Sequence, residues 1–364
     1  MSQDPHSESP QNTAPLWSDA RRELDFKHWL ASIAQPHALQ PDSVRLASAD
    51  ASFRRYFRVD TAQGSRIIMD APPDKEDSRA FVKVADLMKQ ANIRAAEVLA
   101  WDEAKGFMLL TDLGAKTMMQ VINPAQPEAN LSLYLQAVDT LIDWQLASQP
   151  GVLPPYDEAL LRRELNLFPE WYITQYKGVE IDAAMQFTLD NTFKQVIAAN
   201  LAWPSVYVHR DFMPRNLMVA DASTELRLGV LDFQDAVYGP ITYDIASLMR
   251  DAFLSWEEAF CLDITIRYWE KARKAGLPVG RDFGDFYRGV EWMGLQRHLK
   301  VAGIFARLTL RDGKPQYLAD TPRFINYLLS TCARYIELKP LLRLIQKVEG
   351  IVEPNVFGFG ASRR

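Results

Sequence analysis

The residues best suited to chemistry lie between Tyr207 and Asp244. His209-Arg210-Asp211 is followed, five residues after the aspartate, by Asn216, and Asp232 closes the apolar run Leu228 to Leu231. A γ-phosphoryl transfer asks little covalent chemistry of a protein, which must position an acceptor hydroxyl and offset the charge on the phosphates. One carboxylate orients the hydroxyl and takes its proton, while an amide and a second carboxylate offer hard oxygen ligands to magnesium. Asp211, Asn216 and Asp232 fit those roles in that order.

Stepping outward, Phe212 to Leu217 forms the loop between base and metal ligand. Met218 and Val219, then Leu226 to Leu231, form a hairpin that carries Asn216 and Asp232 to one side. Tyr243-Asp244-Ile245-Ala246 opens a helix, in which Asp244 either caps the helix or holds the loop. Arg210, Arg215 and Gln234 are close enough in sequence to touch phosphate or sugar. An H-x-D or an L-D-F alone is common, and only the whole set carries the reading.

On these motifs the chain resembles the aminoglycoside phosphotransferase and choline kinase branch of the kinase-like fold. The glycine-loop and V-A-I-K motifs of protein kinases do not occur, and Asp232 is followed by Phe233-Gln234. DASFRRYFRV, IIMDAPPDKED, GFMLLTDLG, HRDFMPRNLMV and EWMGLQRHLKVAGIFARL together resemble the bacterial sugar kinases that phosphorylate the anomeric hydroxyl of N-acetylmuramate and N-acetylglucosamine, from about residue 20 to 345. The resemblance implies an α+β, bilobal protein-kinase-like fold with a small β-rich lobe and a larger helical one. It implies ATP and Mg2+, with Asp211 as base and Asn216 and Asp232 on the metal. An aminoglycoside- or choline-type kinase and a non-catalytic nucleotide-binding module stay open as alternatives. The last is motivated by one departure: where kinases carry a strand lysine for the α- and β-phosphates, this chain reads Met69-Asp70-Ala71-Pro72. Arg54, Arg55, Lys75 and Lys83 are the candidates to replace it.

Length and composition bound the rest. A chain of 364 residues exceeds what one core usually holds, so two lobes are expected. A formal net charge of -5 argues against nucleic acid as the main partner; the small-molecule sugar partner is what the resemblance implies. With only Cys261 and Cys332, neither a disulfide framework nor a cysteine zinc site is expected. No stretch is apolar over a bilayer's thickness, and the first residues do not read as a secretory signal. A cytoplasmic monomer is the expectation.

The expected domains are a disordered tail over 1–16, a nucleotide lobe over 17–114, a catalytic and acceptor lobe over 115–345, and a tail over 346–364. A first helix is predicted over 17–34. Phe53, Tyr56, Phe57 and Val59, the turn at Gly64, and Ile67 and Ile68 predict a hairpin, in which Ser52, Arg54 and nearby amides either contact phosphates or belong to an ordinary hairpin with surface arginines. Ser78 to Ala91 reads as a helix, and Phe107 to Leu113 as a strand running into a kinase hinge, where Thr111 and Leu113 would flank adenine. A helix is expected over Leu131 to Ala147, and another after Asp157 through RRELNLFPEWYI. On the second, Glu164 and Asn166 face either the acceptor or solvent. A helix from Tyr287 to Leu308 buries Trp292, Leu295, Leu299, Ala302 and Phe305. Its Arg297 and His298 either line an acceptor pocket suited to a carboxylate or lie on a wet face.

Overall fold

The structure, a computed structural model, describes residues 17, 19–49, 53–220 and 227–351. They gather into two compact units. The first runs to Pro154 and includes Val206–Tyr238 and Leu262–Pro278; the second comprises Pro155–Ser205, Gly239–Cys261 and the chain from Val279.

The first unit opens with the helix Ala20–Ala34, started by Asp19, whose side chain accepts the N–H groups of Arg21 and Arg22. Five antiparallel strands follow: β1 (Leu39–Ala49), β2 (Arg55–Thr61), β3 (Gly64–Asp70), β4 (Val98–Asp102) and β5 (Phe107–Thr111). They order as β1-β2-β3-β5-β4. Alternation sends Phe57, Val59, Ile68, Phe107 and Leu109 to one face, where Phe26, Trp29 and Leu30 of the helix cover them. Each buried side chain of this kind contributes about 2 kcal/mol. Asp70 is fully buried, held by Arg22 and by Arg55. The β2–β3 hairpin is as expected, but β1 and β4 had no clear signal. β1 carries Pro41 and breaks register twice, so its alternation is blurred. β4 is a short strand that pairs with β5. The helix Arg79–Gln90, close to the expected range, buries Phe81, Val84, Ala85 and Met88.

The second unit is built on the 28-residue helix Phe283–Leu310, about 42 Å long. Arg297 and His298 do not lie on a wet face: from Gly289 to Lys300 every residue is buried, Glu291, Gln296 and Lys300 included, while Gly284, Asp285 and Leu310 toward the ends are exposed. A helix buried on every side keeps its polar groups only if they are paired, and Glu291 is held by Arg250, Arg334 and Tyr335. Gly303 lets the helix Glu158–Leu167 approach closely, since a Cβ there would lie 2.4 Å from the Leu167 backbone. The expected single helix through RRELNLFPEWYI is two segments: beyond Leu167 the winding widens into a π-helix, Phe168–Tyr176. Pro169 has no N–H and crowds the preceding turn, which the wider winding relieves. The last helix, Lys339–Glu349, passes the expected boundary at 345 and ends on Gly350 in the left-handed region.

This is the expected α+β class, a small sheet early and helices after it. No helix among the described residues is long and apolar enough to cross a membrane. The N-terminal tail at 1–16 and the end of the C-terminal one lie outside the described residues.

Candidate active site

The strand β6 (Ser205–Val208) delivers His209 into the interior, only 1% exposed. Its Nδ1 accepts the Asp211 backbone N–H at 3.3 Å, so the ring proton sits on Nε2 and is donated to the Leu231 carbonyl at 2.9 Å. A neutral imidazole thus joins the Asp211 loop to the segment that ends in Asp232.

Two short strands fix the other side. β7 (Leu217–Met218) pairs with β8 (Gly229–Val230), Leu217 opposite Val230, which is the expected hairpin; residues 221–226 lie outside the description. Ahead of it the turn Pro214–Asn216 closes on the Met213 carbonyl, and the Asn216 carbonyl accepts from Leu231 N at 2.9 Å. Asn216 Nδ2 donates to the Asp211 carbonyl at 2.9 Å and lies 3.5 Å from Asp232 Oδ2. Gln234 Nε2 donates to Asp232 Oδ1 at 2.9 Å. The next residue, Phe233, is buried against Phe81 with ring centroids 4.7 Å apart.

The backbone is strained at both ends of this arrangement, with φ of +77° at Arg210 and +61° at Asp232. A left-handed conformation at a non-glycine residue costs about 1 kcal/mol or more and persists where its surroundings hold it. The His209–Leu231 bond and the hairpin do so here.

These donors suit a hard divalent cation. The Asp232 carboxylate is exposed and the Asn216 amide half-buried, and among the described residues no group of three histidine, cysteine or acidic side chains is arranged to hold a metal. A cation that keeps waters and takes further ligands from bound phosphates needs only such a sparse set.

Around the sheet the expected residues fall unevenly. Ser52 lies outside the described residues. Arg54, just before β2, has Nε 3.5 Å from Glu76 Oε2. Burial would lower its pKa, but Tyr56, Glu76 and Asp232 outweigh that and hold it above the ordinary arginine value. Thr111 is occupied by the sheet edge, its Oγ1 accepting Glu97 N at 2.9 Å, while the Leu113 carbonyl accepts from Arg94 at 2.7 Å. Between them Asp112 accepts from Arg58 and Ser65, each at 2.6 Å, and from Gly114 N at 3.0 Å. Burial works to raise the Asp112 pKa, yet these donors keep it below the usual carboxylate value. Arg210 is half-buried and Arg215 exposed beside the Asp211 loop.

In the second unit, Glu164 is buried and receives Tyr156 Oη, Gln296 Nε2 at 2.9 Å and Lys300 Nζ at 3.1 Å. Asn166, two positions on, is exposed, because neighbours two apart on a helix do not share a face. The guanidinium carbon of Arg297 lies 4.7 Å from the Tyr243 ring centroid. His298 stacks on Tyr327 at 4.6 Å, and its Nε2 lies 3.1 Å from the Arg250 carbonyl. Burial, with help from Arg250, lowers its pKa to about 3, so the ring is neutral. Asp244 is fully buried in the first turn of the helix Thr242–Met249. Glu76, the partner of Arg54, went unremarked in the sequence; an acid in the turn between Pro73 and a helix start was its only signal.

The fold and the Asp211–Asn216–Asp232 arrangement define a phosphotransferase. Residues 43–283 match the model of the phosphotransferase enzyme family, APH, and the chain belongs to that family. It is 48% identical over 332 residues to the N-acetylmuramate/N-acetylglucosamine kinase of Neisseria meningitidis serogroup B, covering 91% of this chain and 97% of that protein. A Pseudomonas aeruginosa relative of the same name is 48% identical over 82% of this chain and 86% of its own length. Among solved structures, choline kinase from Cryptosporidium parvum is 12% identical with a TM-score of 0.55, covering 88% of this chain and 99% of its own. The aminoglycoside phosphotransferase APH(2'')-Ib, ADP-bound, is 13% identical with a TM-score of 0.55, covering 85% and 97%. At those identities the likeness is one of fold.

Proposed function

We propose that this chain is an ATP-dependent kinase for the anomeric C1 hydroxyl of N-acetylmuramate and N-acetylglucosamine, acting as a cytoplasmic monomer in the recycling of peptidoglycan sugars. The observation that carries this reading is the 48% identity, over 91% of the chain, to a relative bearing that name. In this reading residues 17–114 form the nucleotide lobe and 115–345 the acceptor lobe, with adenine against Thr111 and Leu113.

Asn216 and Asp232 would hold magnesium, which when bound offsets the negative charge on the β- and γ-phosphates. Gln234 orients Asp232 by the bond described above. Asp211 orients the sugar hydroxyl and takes its proton as the sugar oxygen bonds to the γ-phosphorus. The bond from that phosphorus to the β–γ bridging oxygen breaks, and ADP leaves. Arg210 and Arg215 add positive charge near phosphate or sugar.

Glu164 is already compensated by Lys300, so it is a poor anchor for a polycationic acceptor, while Arg297 suits the lactyl carboxylate of N-acetylmuramate. An aminoglycoside or choline acceptor draws support from the fold neighbours alone. A nucleotide-binding module without activity draws it from Met69-Asp70 in the lysine slot.

An ADP-release screen over both amino sugars, choline and aminoglycosides tests this, with phosphorus NMR of the product. A C1-phosphorylated amino sugar is expected. Turnover of aminoglycosides alone would replace the reading, and nucleotide binding with no ADP release from any acceptor would support the module.

A further inference from the structure

We propose that Arg54 supplies, from just before β2, the positive charge on the nucleotide phosphates that kinases take from a strand lysine, with Glu76 as its positioning residue. The inference rests on the kinase reading above and names the cation that reading lacks.

Strand register removes one rival. Tyr56 pairs with Met69 and Arg55 with Asp70, so alternation sends Arg55 and Asp70 to one face and Tyr56 and Met69 to the other. Arg55 sits on the helix-covered face, bound to Asp70, its guanidinium carbon 4.1 Å from the Trp17 ring centroid. Arg54 stands just before the strand, where Tyr56 and Glu76 act on its charge. Lys75 lies 4.7 Å over the exposed Phe53 ring, and Lys83 donates to the Val152 carbonyl.

Arg54 meets the positional demands that those three do not. Its Nε is 3.5 Å from Glu76, which stands just before the helix Arg79–Gln90. Protein kinases hold their phosphate lysine by an ion pair to a glutamate. The charge of Asp232 also reaches Arg54, being among the causes that raise its pKa. Phe233, next to Asp232, packs on Phe81 of that same helix. A guanidinium carries five donors in one plane, so Arg54, already in contact with Tyr56 and Glu76, can still turn a donor to phosphate oxygens.

The test compares affinities for ADP and for adenosine by calorimetry in the presence of magnesium. Arg54→Gln is expected to cut the ADP-to-adenosine affinity ratio about 10- to 100-fold, what one hydrogen bond to a charged group contributes. Lys75→Gln and Lys83→Gln are expected to leave it unchanged. An unaltered ratio in Arg54→Gln, or an equal fall in either lysine variant, overturns the assignment. Should Arg54→Gln not fold, phenylglyoxal labelling of the wild-type chain decides: ADP must protect Arg54, read by peptide mass spectrometry, where adenosine does not. Equal labelling with both overturns it. Neither readout needs an acceptor, so Arg54-dependent ADP binding with no sugar turnover would sink the sugar-kinase reading alone.

Discussion

The imidazole Nε2 of His209 lies 2.9 Å from the carbonyl oxygen of Leu231, tying the chain two residues before Asp211 to the residue before Asp232. A buried ring thus joins the two segments that carry the carboxylates. With the Asn216–Leu231 backbone bond, it fixes a loop whose ends both carry strained φ angles.

If Asp211 is the base, Asp211→Asn keeps the shape of the loop and removes the proton acceptor. The variant should bind ADP as the wild type does and lose about 10²- to 10⁴-fold in kcat. Steady-state rates at wild-type level would end the assignment.

Asp70 is fully buried between Arg22 and Arg55, whose side chains are 17% and 30% exposed. Breaking a buried pair costs roughly 3–5 kcal/mol, and arginines that can reach water soften that. Urea unfolding of Asp70→Asn should show a loss of about 2 kcal/mol. A midpoint equal to the wild type would mean that these bonds add nothing net.

His298 has a folded pKa lowered to about 3 by burial, against an ordinary 6.5. The unfolded chain therefore binds more protons below pH 6.5, so this group's contribution is whole above that value and shrinks as pH falls toward 3. The wild type should lose stability across that window more steeply than His298→Gln. Parallel curves of unfolding midpoint against pH would refute this.

Gly303→Ala puts a methyl 2.4 Å from the Leu167 backbone, which no side-chain rotation can relieve. A loss of about 1–3 kcal/mol in thermal or urea unfolding is expected. An unchanged melting temperature would show that the helices can part at no cost.

Much of the site was legible because it is local. Asp211, Asn216, Leu231 and Asp232 lie within 22 residues on a turn and a hairpin, and the hydrogen bonds that join them follow from that spacing. Less of the sheet was legible, since β1 carries Pro41 and broken register. The π-helical continuation after Leu167 depends on how Pro169 is accommodated, which periodicity does not reveal.

By itself the sequence determined the α+β class, the candidate set Asp211, Asn216 and Asp232 that the fold brings together, and the absence of a lysine at Met69-Asp70, because each is written in residues close together along the chain. Tertiary structure alone decided that Glu164 is matched by Lys300, that His298 is neutral, and that Arg54 rather than Arg55 lies toward Glu76. Those outcomes turn on burial and on partners brought from elsewhere in the chain, and a charged side chain carries no mark of either until the chain has folded.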